Sequence, residues 1–318
     1  MNIDPIRLIR WVSGTTLPGG LSISDTNPDP GIMGPDSLTW RLHNEQCLIL
    51  GGARAFLMQA AHPKVAQGAL DHSAYAEDPF GRVFRTVGAM SVLLVGTTRE
   101  VNAMARNINR IHLSVKGTLN DAAGAHPAGE AYDAMDPDAL LWVHVSFVES
   151  MLSAYQTFVG PLTDAEREQY WQESLRYAHR LGLTDAMLPK NYKAVQEYVR
   201  EAIASGEVAV GPGARTVAQT ILYPPLPWYR QRMWGLVRLI TGGQMPPEIW
   251  RGYGLRWTWA HGLAFRLVAG ALRLMRWVFP GSLGHSVLVD FAQRRARGEL
   301  ATPQAEPADP QPVGGAGG

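Results

Sequence analysis

Cysteine is almost missing from this 318-residue chain. The lone Cys47 has no partner for an intramolecular disulfide, and no Cys pair exists to build a zinc ribbon or to hold a cysteine-ligated iron–sulfur cluster. A reducing compartment fits that usage. An excess of one charge is missing too. The 29 Lys and Arg stand against 28 Asp and Glu, so no net field draws the chain to nucleic acid or to a polyacidic partner. Long apolar runs are also absent. The opening MNIDPIRLIRWVSGTT carries Asp4, Arg7 and Arg10 where an export signal needs an unbroken apolar stretch. The run 86-TVGAMSVLLVGTT-98 is too short to span a bilayer and is expected to be a buried helix. A cytoplasmic protein without a transmembrane helix is the expectation.

Familiar catalytic signatures are lacking as well. There is no HExxH, no GxSxG elbow, no Walker loop and no glycine fingerprint following a strand, which removes the common hydrolase, kinase and dehydrogenase readings. No repeat at solenoid spacing is present, which removes the array folds.

What is present suffices for a sizeable core, with 46% hydrophobic against 18% charged residues. Residues 14–37 are rich in Gly, Pro, Ser and Asp, and TPQAEPADPQPVGGAGG at 302–318 has too little apolar surface to offset the entropy of ordering. The expected organisation is an irregular segment at 1–37, a single folded body at 38–298 and a disordered tail at 299–318. Within the body, Thr97 and Glu100 form a capping box. It opens a helix expected to stop at Gly117, along which Val101, Met104, Ala105, Ile108, Ile111, His112 and Val115 recur at helical spacing. Asp136-Pro137-Asp138, a cap followed by proline, opens another helix, whose face carries Leu140, His144, Phe147, Met151, Tyr155 and Phe158. Further helices are expected at 163–182, about 190–205, 226–241 and through the Trp- and Arg-rich run 248–278. Convincing period-2 strands are absent. The pattern predicts an all-α fold, with 60–81 as loops beside the helical core.

Nine histidines are left to carry chemistry. A lone histidine on an apolar helix face is more often a hydrogen-bonded core residue than a ligand, and His112 and His144 both lie on such faces. His62 and His72 sit in 60-AAHPKVAQGALDHSAYAEDPFGRVFRT-86 beside Pro63 and Gly68 and read as loop and helix-end histidines. Arg82 and Arg85, at i and i+3, either project to one side or are solvated or bonded to Asp71 and Asp78.

One ordered set of residues resembles a known family. It runs His62-Pro63, Val65-Ala66-Gln67-Gly68, Asp71-His72-Ser73, Asp78-Pro79-Phe80-Gly81-Arg82, Arg85-Thr86, His112, Gly117, Tyr132 through Pro137, and Leu140 through His144. In that order the residues resemble the oxygenase MpaB-like family, related to latex-clearing protein, a rubber oxygenase. The matches span about 40–205, with weaker similarity to about 270. The resemblance implies a globin-like helical bundle holding b-type haem and using dioxygen on a small apolar or secondary-metabolite substrate. It also selects one histidine. The family's haem ligand lies one helix after an Arg-x-x-Lys-Thr motif, which matches Arg82-Val83-Phe84-Arg85-Thr86, and the histidine on the next helix is His112. Met104, Ile108, Ile111 and Val115 would give that imidazole apolar surroundings. Arg82 would pair with a propionate, and Arg85 and Thr86 would act on bound dioxygen. Arg85 departs from the family's lysine, and a guanidinium has no lone pair for iron.

His62 and His72 would then support the segment presenting Arg82, Arg85 and Thr86. Two alternatives remain at this point. One is a non-haem iron oxygenase ligated by His62, His72 and His144 with Asp71. The other is a non-catalytic helical protein that binds an apolar ligand. Arg251, Arg256, Arg266, Arg273 and Arg276 interleave with Trp250, Trp257, Trp259, Trp277 and Phe279, which suits either peripheral membrane contact or snorkelling arginines on a core helix.

Overall fold

The computed structural model describes residues 28–72, 79–224, 227–279 and 286–299, with side chains from 85 onward in the second stretch. Most of the N-terminal segment expected to be irregular, and nearly all of the tail, lie outside the described residues. Among the described residues the chain forms α1 (Leu38–His43), α2 (Gly52–Ala60), α3 (Pro63–Asp71), α4 (Pro79–Val95) and α5 (Thr98–His112). A hairpin of β1 (Lys116–Thr118) and β2 (Ala131–Asp133) follows. Then come α6 (Pro137–Phe158), α7 (Asp164–Ala178), α8 (Tyr192–Ala204), α9 (Pro212–Leu222) and α10 (Trp228–Gln244). The last three are α11 (Pro247–Gly252), α12 (Trp259–Val278) and α13 (Val287–Ala296). The fold is all-α apart from that hairpin.

Local hydrogen bonding explains several starts. Thr97 and Thr163 each accept from the backbone N–H three residues on, while Glu100 and Glu166 reach back to the cap, so both capping boxes form. Asp136 accepts from the Asp138 N–H with Pro137 at the first helical position of α6. Three expectations need correction. Residues 63–71 are helix, not loop, because Pro63 occupies the first turn where its missing N–H costs nothing, with His62 as N-cap and His72 as C-cap. The helix expected to reach Gly117 ends at His112, and Lys116–Thr118 pairs antiparallel with Ala131–Asp133, setting Gly117 opposite Tyr132. Tyr132 lies so close over Gly117 that a Cβ there would sit 2.6 Å from the phenol oxygen. Finally, the run 248–278 divides. Gly254 takes φ +73° after α11, and Thr258 opens α12 in a capping box that uses His261 in place of Glu or Gln.

α6 is the central element. Leu141, Val145, Val148 and Leu152 pack with Tyr170 and Trp171 of α7 and Val195 of α8. Trp142, on another side of α6, joins Leu57 and Met58 of α2, Ala66 of α3 and Ala218 and Leu222 of α9. A third cluster joins Val92 and Val95 of α4 to Val101, Met104 and Ala105 of α5 and Val289 of α13. Each Val, Leu or Met side chain among them stabilises the fold by about 1.5–3 kcal/mol when fully buried. Polar ties cross the core. The buried Arg54 donates to the Gln244 carbonyl at 2.8 Å and to Ser150 Oγ at 2.6 Å, linking α2 with α10 and α6. Glu173 of α7 accepts from the Leu38 and Thr39 N–H groups and so caps α1. No helix among the described residues is long and apolar enough to cross a membrane.

Candidate functional site

His112 is the last residue of α5 and is half-buried, less enclosed than the sequence spacing suggests, with Ile111 and Leu113 exposed beside it. Its Nδ1 is buried and has no hydrogen-bond partner. Burial lowers its pKa, which favours a neutral imidazole with a lone pair. α4 and α5 meet through Gly96 and Thr97 and pack along Ala89, Val92, Val101, Met104, Ala105 and Ile108. At 1.5 Å per residue, Arg82 and His112 both lie roughly 20 Å from that turn along their helices. Arg85 and Thr86 are exposed on α4. Arg82 belongs to the same helix, but its side chain lies outside the described residues.

The histidines of the non-haem alternative do not converge. His144 is a core residue of α6, edge-on to Tyr177 and tilted against Trp171 at ring-centroid distances of 5.1 and 5.3 Å. Ser174 Oγ donates to the Trp171 carbonyl, so His144 Nε2–H donates to Ser174 Oγ at 3.1 Å. Burial depresses the His144 pKa to about 3, keeping it neutral. His72 is exposed, and its Nε2 meets the Lys116 carbonyl at 2.9 Å. Asp71 accepts from Tyr132 Oη–H at 2.7 Å and from Gln67 Nε2–H at 2.8 Å. Asp71 and His72 thus pin the end of α3 to the hairpin, and a Cβ on Gly68 would press into Val115 and the Tyr132 ring. These motif positions serve packing. The set of His62, His72 and His144 with Asp71 is corrected accordingly: its members face different neighbours.

His62 instead meets two residues that the sequence did not single out. Among the described residues, one group of three could hold a metal ion: His62, His126 and Glu207, whose ligand atoms all lie within 4.8 Å of one another. His62 is 1% exposed, His126 4% and the Glu207 side chain 37%, so the cluster is buried on the histidine side and open on the carboxylate side. A glycine allows this meeting. The turn Ala123–His126 docks on the loop after α8 through Ala125 N–H donating to the Gly206 carbonyl at 2.9 Å. Gly124, at φ +58°, approaches so closely that a Cβ would fall 2.0 Å from that carbonyl oxygen. The only sequence signals for His126 and Glu207 are the Gly- and Pro-containing stretches GAHPAGE and SGEVAVGPG, which mark loops and say nothing of their meeting. A separate polar cleft of about 530 Å³, lined by Asp36, Arg41, Asn44, Glu45 and Gln169 among others, includes none of the candidate residues.

Residues 40–274 match the family described as ER-bound oxygenase mpaB/B′/rubber oxygenase, catalytic domain. Two mycobacterial proteins, from Mycobacterium bovis and Mycobacterium tuberculosis and both named only as uncharacterised, are 26% identical over 231 residues, or 70% of this chain and 87% of each relative. No solved structure matches at a significant level.

Proposed function

Because the chain belongs to the mpaB/rubber oxygenase catalytic-domain family, we propose that it is a haem-dependent oxygenase acting on an apolar substrate, with His112 as the haem ligand. The observation that carries this reading is the His112 imidazole, half-buried at the end of α5 and neutral, with Nδ1 lacking any protein partner. Its chemistry suits a ligand to haem iron, and the uncovered Ile111 and Leu113 would offer apolar surface beside it. A haem bound there would supply redox-active iron for dioxygen chemistry.

The chain's own residues do the rest. α5 fixes the direction of the imidazole. Arg82 carries a permanent positive charge suited to a propionate. Arg85 and Thr86 offer hydrogen-bond donors without competing for the metal, since neither has a lone pair soft enough or free enough to ligate it as imidazole does. A small apolar or secondary-metabolite substrate, together with dioxygen, fits this reading.

Purified protein, expressed with adequate iron and haem precursor, is expected to carry about one b-type haem per chain in a pyridine haemochrome assay. His112→Ala should lose it while its far-ultraviolet circular dichroism stays that of the parent. Colourless protein that also refuses added hemin would overturn the proposal.

A further inference from the structure

The strongest cluster outside the His112 region is the one around His62. The Nδ1 of His126 lies 2.9 Å from Glu130 Oε2, and Glu130 Oε1 is 3.0 Å from Lys64 Nζ. Lysine has only donors to offer, so the Glu130 carboxylate serves as an acceptor to both neighbours. The proton between Glu130 and His126 therefore sits on His126 Nδ1. In the neutral ring this leaves a lone pair on Nε2, which points at the Glu207 carbonyl at 3.1 Å and at Glu207 Oε1 at 3.2 Å. Both of those atoms are acceptors too. His62 Nε2 lies 3.6 Å from the same carboxylate oxygen, and neither ring nitrogen of this buried histidine has a hydrogen-bond partner. Two ring nitrogens and a carboxylate oxygen thus converge within 4.8 Å of one another, and no hydrogen bond from His62 joins them.

We infer that His62, His126 and Glu207 form a binding site for one divalent first-row transition-metal ion such as Zn²⁺ or Fe²⁺. Two imidazoles and one carboxylate are the donor set these ions prefer over the all-oxygen sets of Mg²⁺ and Ca²⁺. The Glu130–His126 pair supplies the arrangement that commonly orients a ligating imidazole, a carboxylate holding the far ring nitrogen. The open Glu207 side gives the ion a way in. Bound there, the ion would tie the start of α3 to the β1–β2 connection and to the loop between α8 and α9. This site does not involve His112 and is independent of the haem reading.

The test uses the full chain, stripped with a chelator and titrated with Zn²⁺ by calorimetry, with Co²⁺ as an optical probe of nitrogen ligation. One Zn²⁺ per chain is expected, raising the thermal midpoint by several degrees at saturating metal. His126→Asn should abolish both the stoichiometric uptake and the Co²⁺ bands. Glu207→Gln, at a partly exposed position where loss of fold is not in question, should weaken binding at least tenfold. Glu130→Gln should weaken it about 10–100-fold by freeing the imidazole. His112→Ala should bind Zn²⁺ as the parent does. Absence of Zn²⁺ uptake by the parent, uptake that survives both His126→Asn and Glu207→Gln, or loss of uptake in His112→Ala would each overturn the inference.

Discussion

His144 shows how a single residue's surroundings set its chemistry. It is buried, it gives one proton to Ser174, and its other nitrogen has no hydrogen-bond partner that could accept a second proton, so protonation would strand a charge in the core. Burial holds its pKa at about 3 in the folded chain, while an unfolded histidine titrates near 6.5. Between those values the unfolded chain binds the extra proton, so stability is full above the unfolded pKa and falls as pH drops toward the folded one. The slope from one such group is about 1.4 kcal/mol per pH unit. Urea unfolding of the parent should therefore weaken steadily from pH 6.5 to 4, and His144→Leu should lose a slope of that size. An unchanged pH slope in the variant would show that another group carries the effect. The proximity of His144 to the apolar face was legible in the sequence because it depends only on helical period. Its role as a core donor was not, since Ser174 sits on a different helix.

At the scale of elements, the join between α3 and the hairpin is the clearest case of motif residues serving structure. Tyr132 crosses from β2 over Gly117 and gives its hydroxyl proton to Asp71 at the end of α3. Tyr132→Phe leaves Asp71 with one fewer donor and should cost about 1.5–3 kcal/mol in chemical unfolding, as loss of a hydrogen bond to a charged group does. A cost near zero would mean that water replaces the phenol. Helix starts were readable at Thr97, Asp136 and Thr163 because each cap closes hydrogen bonds within three residues. The start at Thr258 escaped the pattern because His261 takes the place of Glu or Gln. The hairpin escaped because three-residue strands are too short for alternation to register.

Over the whole molecule, the Trp- and Arg-rich C-terminal run proves to be a largely uncovered face. Trp259 is 82% and Trp277 79% exposed on α12, with Leu267 and Leu274 exposed between them, while Trp228 and Met233 are exposed on α10. Residues so placed contribute little to folding, so Trp259→Ser and Trp277→Ser should each change unfolding free energy by less than about 0.5 kcal/mol. A loss beyond about 2 kcal/mol in either variant would show that the side chain is covered in solution. The sequence by itself determined the helical class, several helix starts and the burial of His144. Those features rest on period and on hydrogen bonds between near neighbours. Tertiary structure alone decided that α5 stops at His112, that Asp71 belongs to Tyr132, and that His62 meets His126 and Glu207. Each of these depends on a contact between segments distant in the chain, His126 and Glu207 being 81 residues apart, and the pairing of distant loops through Gly124 and Gly206 leaves no periodic trace to read.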